Sequence, residues 1–274
     1  MRLRLLGGDA VAAAYDLAFL AEVVASGGVS RLAELTVADC LESTNSEALE
    51  RAGASEAEEF VAVIADRQTA GRGRRGRSWQ SPPGTNIYLS VAWRTRLPFT
   101  QSLGALPLAI GVAIADALTG LGVHAALKWP NDLYVDGGKL GGILLESRVL
   151  ADRIAVVVGI GLNHHPDAAL CAAIDQPIRF LAERSPGLRR EAVAAEIIAA
   201  VTGAIAAYRE QGIAPFLSLW SDRDLLRNRI VCVDAAEGAF HGVAIGIDND
   251  GGLLIQTDSG IRCCQSGEVS VRAT

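Results

Sequence analysis

Between Arg67 and Arg77 the chain places five arginines (Arg67, Arg72, Arg74, Arg75, Arg77) and three glycines (Gly71, Gly73, Gly76) in eleven residues, with no acid among them. Glycine lets a backbone come close to a ligand, and each guanidinium presents a rigid fork of donors that matches phosphate or carboxylate. The formal net charge of the chain is −6, so this positive charge is local. A lone Arg-Gly-Arg is usually a solvated surface turn. Five arginines directly after an apolar run, with Ser-Pro-Pro-Gly-Thr-Asn behind them, point to an anion site instead. A second stretch, KWPNDLYVDGGKLGGILLE (residues 128–146), sets Lys128, Asn131, Asp132 and Lys139 around Pro130. Its amines can meet an anion, and its carboxylate can hold a metal ion or accept a proton. The same stretch reads as a β-hairpin turning at Asp136-Gly137-Gly138, and the two readings are compatible. Glu42-Ser43-Thr44-Asn45 gathers small hydrogen-bonding groups at a helix start. Capping alone explains Thr44, with Glu47 closing a capping box, although a helix N-terminus also suits a polar or anionic ligand. In Gly159-Ile-Gly-Leu-Asn163 an apolar run ends with glycines for close approach and one amide; His164 and His165 follow, but adjacent side chains diverge and do not make a metal pair.

These segments need a frame. A helix is expected over residues 10–26, stopped by Gly27-Gly28, and another begins at Ser43-Thr44. Residues 60–66 read as a buried strand, so the arginine segment is a loop leaving a strand; residues 86–94 read as the next strand. A helix fits 103–121, with Leu103, Leu106, Ile110, Ile114 and Leu118 on one face and Pro107 near its start. Short strands follow, in HAALKW, DLYV, LGGILLES and IAVVVGIGLN, and then a long helix from about Pro186 to Tyr208, capped by Ser185. After Trp220 the pattern changes to five short strands with tight turns, the signature of a small all-β barrel of about 50 residues.

Half of the residues are hydrophobic and 20% are charged, enough apolar surface for a real core and too little charge for a disordered chain. An acidic chain is a poor nucleic-acid coat, so polyanion binding must be confined to the arginine loop. The five cysteines are odd in number and show no C-x-x-C spacing, which reads as reduced thiols in a cytoplasmic protein. Asp9 and Asp16 interrupt the start before a signal-peptide core can form, and no apolar run reaches membrane-span length, so no membrane partner is expected. There is no Walker loop, no Rossmann glycine fingerprint and no nucleophile elbow. Any phosphate chemistry here falls to arginines, lysines and backbone.

The segments STN, QTAGRGRRGRSWQSPPGTNIYLS, KWPNDLYVDGGKLGGILLES and GIGLN, in that order, resemble the signature segments of the biotin protein ligases, also called biotin–[acetyl-CoA-carboxylase] ligases. The resemblance runs from about residue 40 to the end of the chain. It implies an α+β fold: a mixed central sheet flanked by helices, of the class II synthetase and lipoate ligase kind, over residues 1–222, and an SH3-like β-barrel over 223–274. It implies the substrates biotin and ATP with Mg²⁺, activation of biotin to biotinyl-5′-AMP, and transfer to a lysine of a biotin carboxyl carrier protein domain of acetyl-CoA carboxylase or a related carboxylase. By position, Ser43, Thr44, Asn45 and Gln68 would hold the ring end of biotin; Gly71, Arg72, Gly73, Arg74, Lys139, Gly142 and Gly159 would complete its pocket. Arg75, Arg77, Trp79, Lys128, Asn131 and Asn163 would serve the nucleotide. Lys139, Arg74 and Asp132 would carry the chemistry, with Asp132 also touching the metal.

Some family members carry an N-terminal DNA-binding domain. Only about 40 residues precede STN here, so a ligase without repressor function, and no DNA partner, is expected. The family includes homodimers paired along an edge of the central sheet, and a homodimer stays open for this chain. The extra proline of Ser-Pro-Pro-Gly stiffens the loop exit. Rival readings are a nucleic-acid binder built on the arginine loop, a lipoate or octanoate transferase of the same fold, and a non-catalytic paralogue. The acidic charge context weighs against the first, the intact arginine and KWPND segments against the second, and the full set of polar signature residues against the third.

Overall fold

A computed structural model describes residues 1–7, 11, 14–27, 31–54, 59–96, 101–235, 238–265 and 270–273. An eight-stranded sheet forms the frame, in the order β1-β2-β3-β4-β8-β7-β6-β5. Its strands are β1 (Arg2–Leu6), β2 (Leu32–Leu41), β3 (Phe60–Gln68), β4 (Ile87–Arg96), β5 (Ala126–Lys128), β6 (Asp132–Val135), β7 (Gly138–Leu150) and β8 (Arg153–Leu162). β1, β2 and β3 run parallel and all later pairs antiparallel, so the sheet is mixed.

Alternation along the strands sorts side chains onto two faces. One face takes Ile87, Leu89, Val91 and Trp93 of β4 and Ile154, Val156, Val158, Ile160 and Leu162 of β8. Against it pack α1 (Leu17–Ser26), α3 (Leu106–Gly120) and α5 (Arg190–Gln211). This is the main core, and each fully buried aliphatic side chain in it contributes about 1.5–3 kcal/mol. The other face carries α2 (Thr44–Ala54), over a small cluster of Ala48, Leu49, Ala52, Val61, Val63, Ala92, Ala155 and Val157, and the short α4 (Ala168–Ala173) reaches the cavity through Leu170. Beyond α2 that face is open, and the site lies there.

The second sheet has the order β12-β11-β10-β9-β13: β9 (Ile230–Ala235), β10 (Gly238–Ile247), β11 (Leu253–Thr257), β12 (Gly260–Cys264) and β13 (Ser270–Ala273), all antiparallel. Val231, Val233, Ala244, Leu253 and Ile255 join the main core, and the Trp129 indole donates to the Gly251 carbonyl at 3.0 Å. The small sheet is thereby fixed to the KWPND segment.

Three helix readings need correction. The expected helix over 10–26 is interrupted: Asp16 caps α1 by accepting from the Phe19 amide, and residues 10, 12 and 13 lie outside the described residues. The long helix begins at Arg190, not Pro186, because Leu181–Glu183 form a separate helical turn whose continuation takes up the Ser185 amide. Thr44 is not a cap: its amide and hydroxyl both go to the Gln68 side chain, and Glu47 pairs with Arg51 at 2.5 Å instead of closing a capping box. The strand β1 was not expected at all; residues before β2 supply an edge strand and a core helix. Among the described residues one helix, α5, is long and apolar enough to cross a membrane, and most of that stretch is buried in the core.

Candidate active site

A cavity of about 1310 Å³ opens on the sheet face that α2 leaves uncovered. Its floor comes from β7 and β8. Gly159, Gly161 and Asn163 recur at every second position of β8 and its extension, so they share one face, and β7 adds Gly142 and Leu144. The glycines are required by close approach. A Cβ on Gly159 would lie 2.3 Å from Asn45 Oδ1, and one on Gly161 would lie 2.5 Å from the Trp79 ring.

Lys139 and Gly142 are three residues apart, and a regular strand would turn them to opposite faces. The β6/β7 register shifts here: Leu133 pairs with Gly141 and Tyr134 with Lys139, leaving Leu140 as an extra residue. This bulge brings both Lys139 and Gly142 to the cavity. The hairpin turn is the expected one, with Asp136 and Gly137 at φ 49° and 74°. The Lys139 backbone is held on both sides: its amide donates to Pro177 O at 2.8 Å, and its carbonyl accepts from Arg179 N at 2.9 Å and Asn163 Nδ2 at 3.2 Å. Its ammonium meets Asp132 Oδ1 at 2.8 Å and lies 5.5 Å from the centre of the Trp79 ring.

Two chemically distinct ends result. At one, Thr44 N and Oγ1 lie 2.9 and 3.2 Å from Gln68 Oε1, and Ser90 Oγ donates to Asn45 Oδ1 at 2.6 Å and stands 2.8 Å from Thr44 Oγ1. These groups are neutral and mostly buried. At the other, Arg74 Nη1 donates to Asn131 Oδ1 at 3.1 Å, Asn131 Nδ2 donates to Ile143 O, and Lys128 lies 5.4 Å from the Tyr134 ring centre. Burial lowers the Arg74 pKa from its ordinary value, with Arg77 and Arg75 adding to the shift and Asp132 opposing it.

The arginine segment is a tight hairpin, not an open loop. Gly73 N donates to Arg77 O at 2.6 Å and Trp79 N to Gly71 O at 2.8 Å, and the tip turns through Arg75 and Gly76 at φ 59° and 72°. Arg74 is half-buried against the cavity; Arg75 and Arg77 are exposed at its rim.

The structure brings Ser43, Thr44, Asn45, Gln68, Arg72, Gly73, Arg74, Arg75, Arg77, Trp79, Lys128, Asn131, Asp132, Lys139, Gly142, Gly159 and Asn163 to the cavity wall. Gly71 is the exception. It lies buried behind the hairpin, where a Cβ would meet Trp79 O at 2.6 Å and Ser81 Oγ at 2.8 Å. Sequence reasoning missed Ser90, Glu146, Tyr134 and Asp234. Ser90 was detectable as a lone hydroxyl inside an apolar strand, and Glu146 as an acid on the Gly142 side of β7. Asp234 comes from the second sheet and lines the cavity with no local signal.

Residues 37–163 match the Biotin/lipoate A/B protein ligase family, and residues 228–272 match the Biotin protein ligase C terminal domain. The chain is 37% identical to the bifunctional ligase/repressor BirA of Escherichia coli over 87% of its own length and 74% of that protein's. It is 34% identical to the biotin–[acetyl-CoA-carboxylase] ligase of Paracoccus denitrificans, over 83% of this chain and 96% of that one. Its structure is similar to that of a biotin protein ligase from Aquifex aeolicus in complex with biotin and ATP: TM-score 0.74, 28% identity, 89% of this chain and 100% of that chain.

Proposed function

The chain belongs to the biotin protein ligase family, and from that premise we propose that its cavity activates biotin with ATP and passes the acyl group to a lysine of a biotin-accepting carboxylase domain. The observation that carries this reading is the position of Lys139. Contacts run from Asn45 on Gly159, through Trp79 on Gly161, to Lys139, Asp132 and then Asn131 with Arg74. A lysine therefore joins a neutral hydrogen-bonding end to a cationic end. A uncharged ring system with amide-like groups fits the first, and a polyphosphate fits the second.

In the first step a biotin carboxylate oxygen attacks the α-phosphorus, and pyrophosphate leaves with the bonding pair. Two anions must approach, so Lys139 and Arg74 stabilise the charge gathering on carboxylate and phosphate, and Arg75, Arg77 and Lys128 attend the leaving group. In the second step the neutral amine of the acceptor lysine attacks the acyl carbon; AMP leaves, and the amine's surplus proton is lost. Asp132 orients that amine. Trp79 and the arginine hairpin keep water from the anhydride meanwhile. Mg²⁺ sites use one or two carboxylates together with substrate phosphates. No group of three or more His, Cys, Asp or Glu is gathered among the described residues, and Asp132 lines the phosphate end. These residues fit an ion carried by the nucleotide and touched by Asp132, where it would neutralise phosphate charge.

We divide the chain into a catalytic domain at 1–222 and a small β domain at 223–274, with Asp234 bringing the second to the edge of the site. The test is biotin- and ATP-dependent labelling of an isolated biotin carboxyl carrier domain. Wild-type transfer that falls at least about 10²-fold in Lys139→Ala, roughly 3 kcal/mol of transition-state stabilisation, supports the reaction and the lysine's role. Labelling with lipoate or octanoate in place of biotin overturns the substrate.

A further inference from the structure

Glu146 does not line the cavity, yet it holds two residues that do. It stands on the Gly142 and Leu144 face of β7, and both its oxygens are engaged. Oε1 accepts from Arg72 Nε at 3.2 Å; Oε2 accepts from Arg72 Nη2 at 2.9 Å and from Asn45 Nδ2 at 2.7 Å. Arg72 spends its remaining nitrogen on Ser46 Oγ at 3.0 Å. Asn45 is fixed from its other side by Ser90 Oγ and lies directly over Gly159. A single exposed ion pair would do little. This one is bidentate, two-thirds shielded from solvent, and shared with a neutral amide, whose nitrogen it holds at 2.7 Å together with the Leu144 carbonyl at 3.3 Å.

The charges also divide along the arginine hairpin. Arg72 is neutralised by Glu146, whereas Arg74 donates to the neutral Asn131 amide and Arg75 and Arg77 face the rim. The first arginine is thereby a scaffold beside the neutral end, and the later ones keep their field for an anion. We propose that Glu146 is a positioning residue that sets the biotin-ring subsite through Asn45 and Arg72 and keeps Arg72 from acting as a phosphate contact. This rests on the assignment of that end of the cavity to biotin.

The test is biotin-dependent ATP–pyrophosphate exchange by the full chain, with Glu146→Gln and Glu146→Asp. In Glu146→Gln the amide nitrogen faces donors and Arg72 loses its counter-charge. KM for biotin should rise about tenfold or more while KM for ATP stays within about twofold, with Glu146→Asp between it and wild type. Equal rises in both KM values, or unchanged constants with only a lower melting temperature, overturn the positioning role. If Glu146→Gln does not fold, the same comparison is read on Glu146→Asp. Exchange by wild type with biotin but no selective change in the variants sinks this inference alone; no biotin-dependent exchange by wild type sinks the functional reading and this inference with it.

Discussion

The two faces of the central sheet are built from the same strands and do opposite things. On β8, positions 154, 156, 158, 160 and 162 are Ile, Val, Val, Ile and Leu, all nearly inaccessible and packed under three helices. The intervening positions 155, 157, 159, 161 and 163 run Ala, Val, Gly, Gly, Asn. They begin under α2 and end on the cavity floor. One face fills its volume and the other gives it up, step by step, until the backbone itself is the wall. Along β8, side-chain size makes the difference between core and site; on β7 the Leu140 bulge adds a change of backbone register.

If that is right, the faces should fail differently. Leu89→Ala, on the filled face, removes a fully buried side chain from the main core. It should cost about 2–5 kcal/mol in denaturant unfolding, with the biotin and ATP constants of the folded fraction unchanged. A change in KM without a change in stability would break the division. The opposite pattern is expected from Gly161→Ala on the open face. Its Cβ would lie 2.5 Å from the Trp79 ring, so the ring must shift away from Gly161 and from Lys139. Displacement of about 1 Å in a positioned group can cost about 10²-fold in rate, or about 2.7 kcal/mol. Adenylation kinetics should show that loss, while the unfolding midpoint moves little.

Much of this was legible beforehand. The apolar run of β8 ending in glycines, the strand exit into the arginines and the Asp136-Gly137 turn are local signals. The resemblance of four short segments to one family then ordered the site. What stayed hidden was non-local. Thr44 looks like a cap until Gln68, 24 residues on, takes both its polar groups. The Leu140 bulge that turns Lys139 and Gly142 to one side depends on the register with β6. Glu146 is an ordinary strand acid until the hairpin sets Arg72 against it. Residues 2–6 read as an apolar start because a parallel edge strand needs β2 in place before it has a partner.

The smallest expected effect tests where the boundary between the faces falls at the end of β8. Asn163 reaches the cavity, while His164, the next residue, is fully buried away from it. Burial pushes the His164 pKa down to about 4, helped by His165 and Arg190 and opposed by the Leu188 backbone and Glu191. The folded state therefore keeps the ring neutral, while the unfolded chain takes up a proton below its ordinary value near 6.5. The sign follows: this contribution to stability is complete above that value and is lost as pH falls toward 4. At a pH of about 5.5 the loss should be about 1.2 kcal/mol relative to pH 7. His164→Gln should flatten the pH dependence of unfolding across this window and leave biotin-dependent exchange at neutral pH within about twofold of wild type. An unchanged acid slope would mean that the ring finds water or a counter-charge in the folded state. A large loss of exchange at neutral pH would move His164 to the site face, and the sharp division between neighbouring residues on which the comparison rests would have to be drawn one position later.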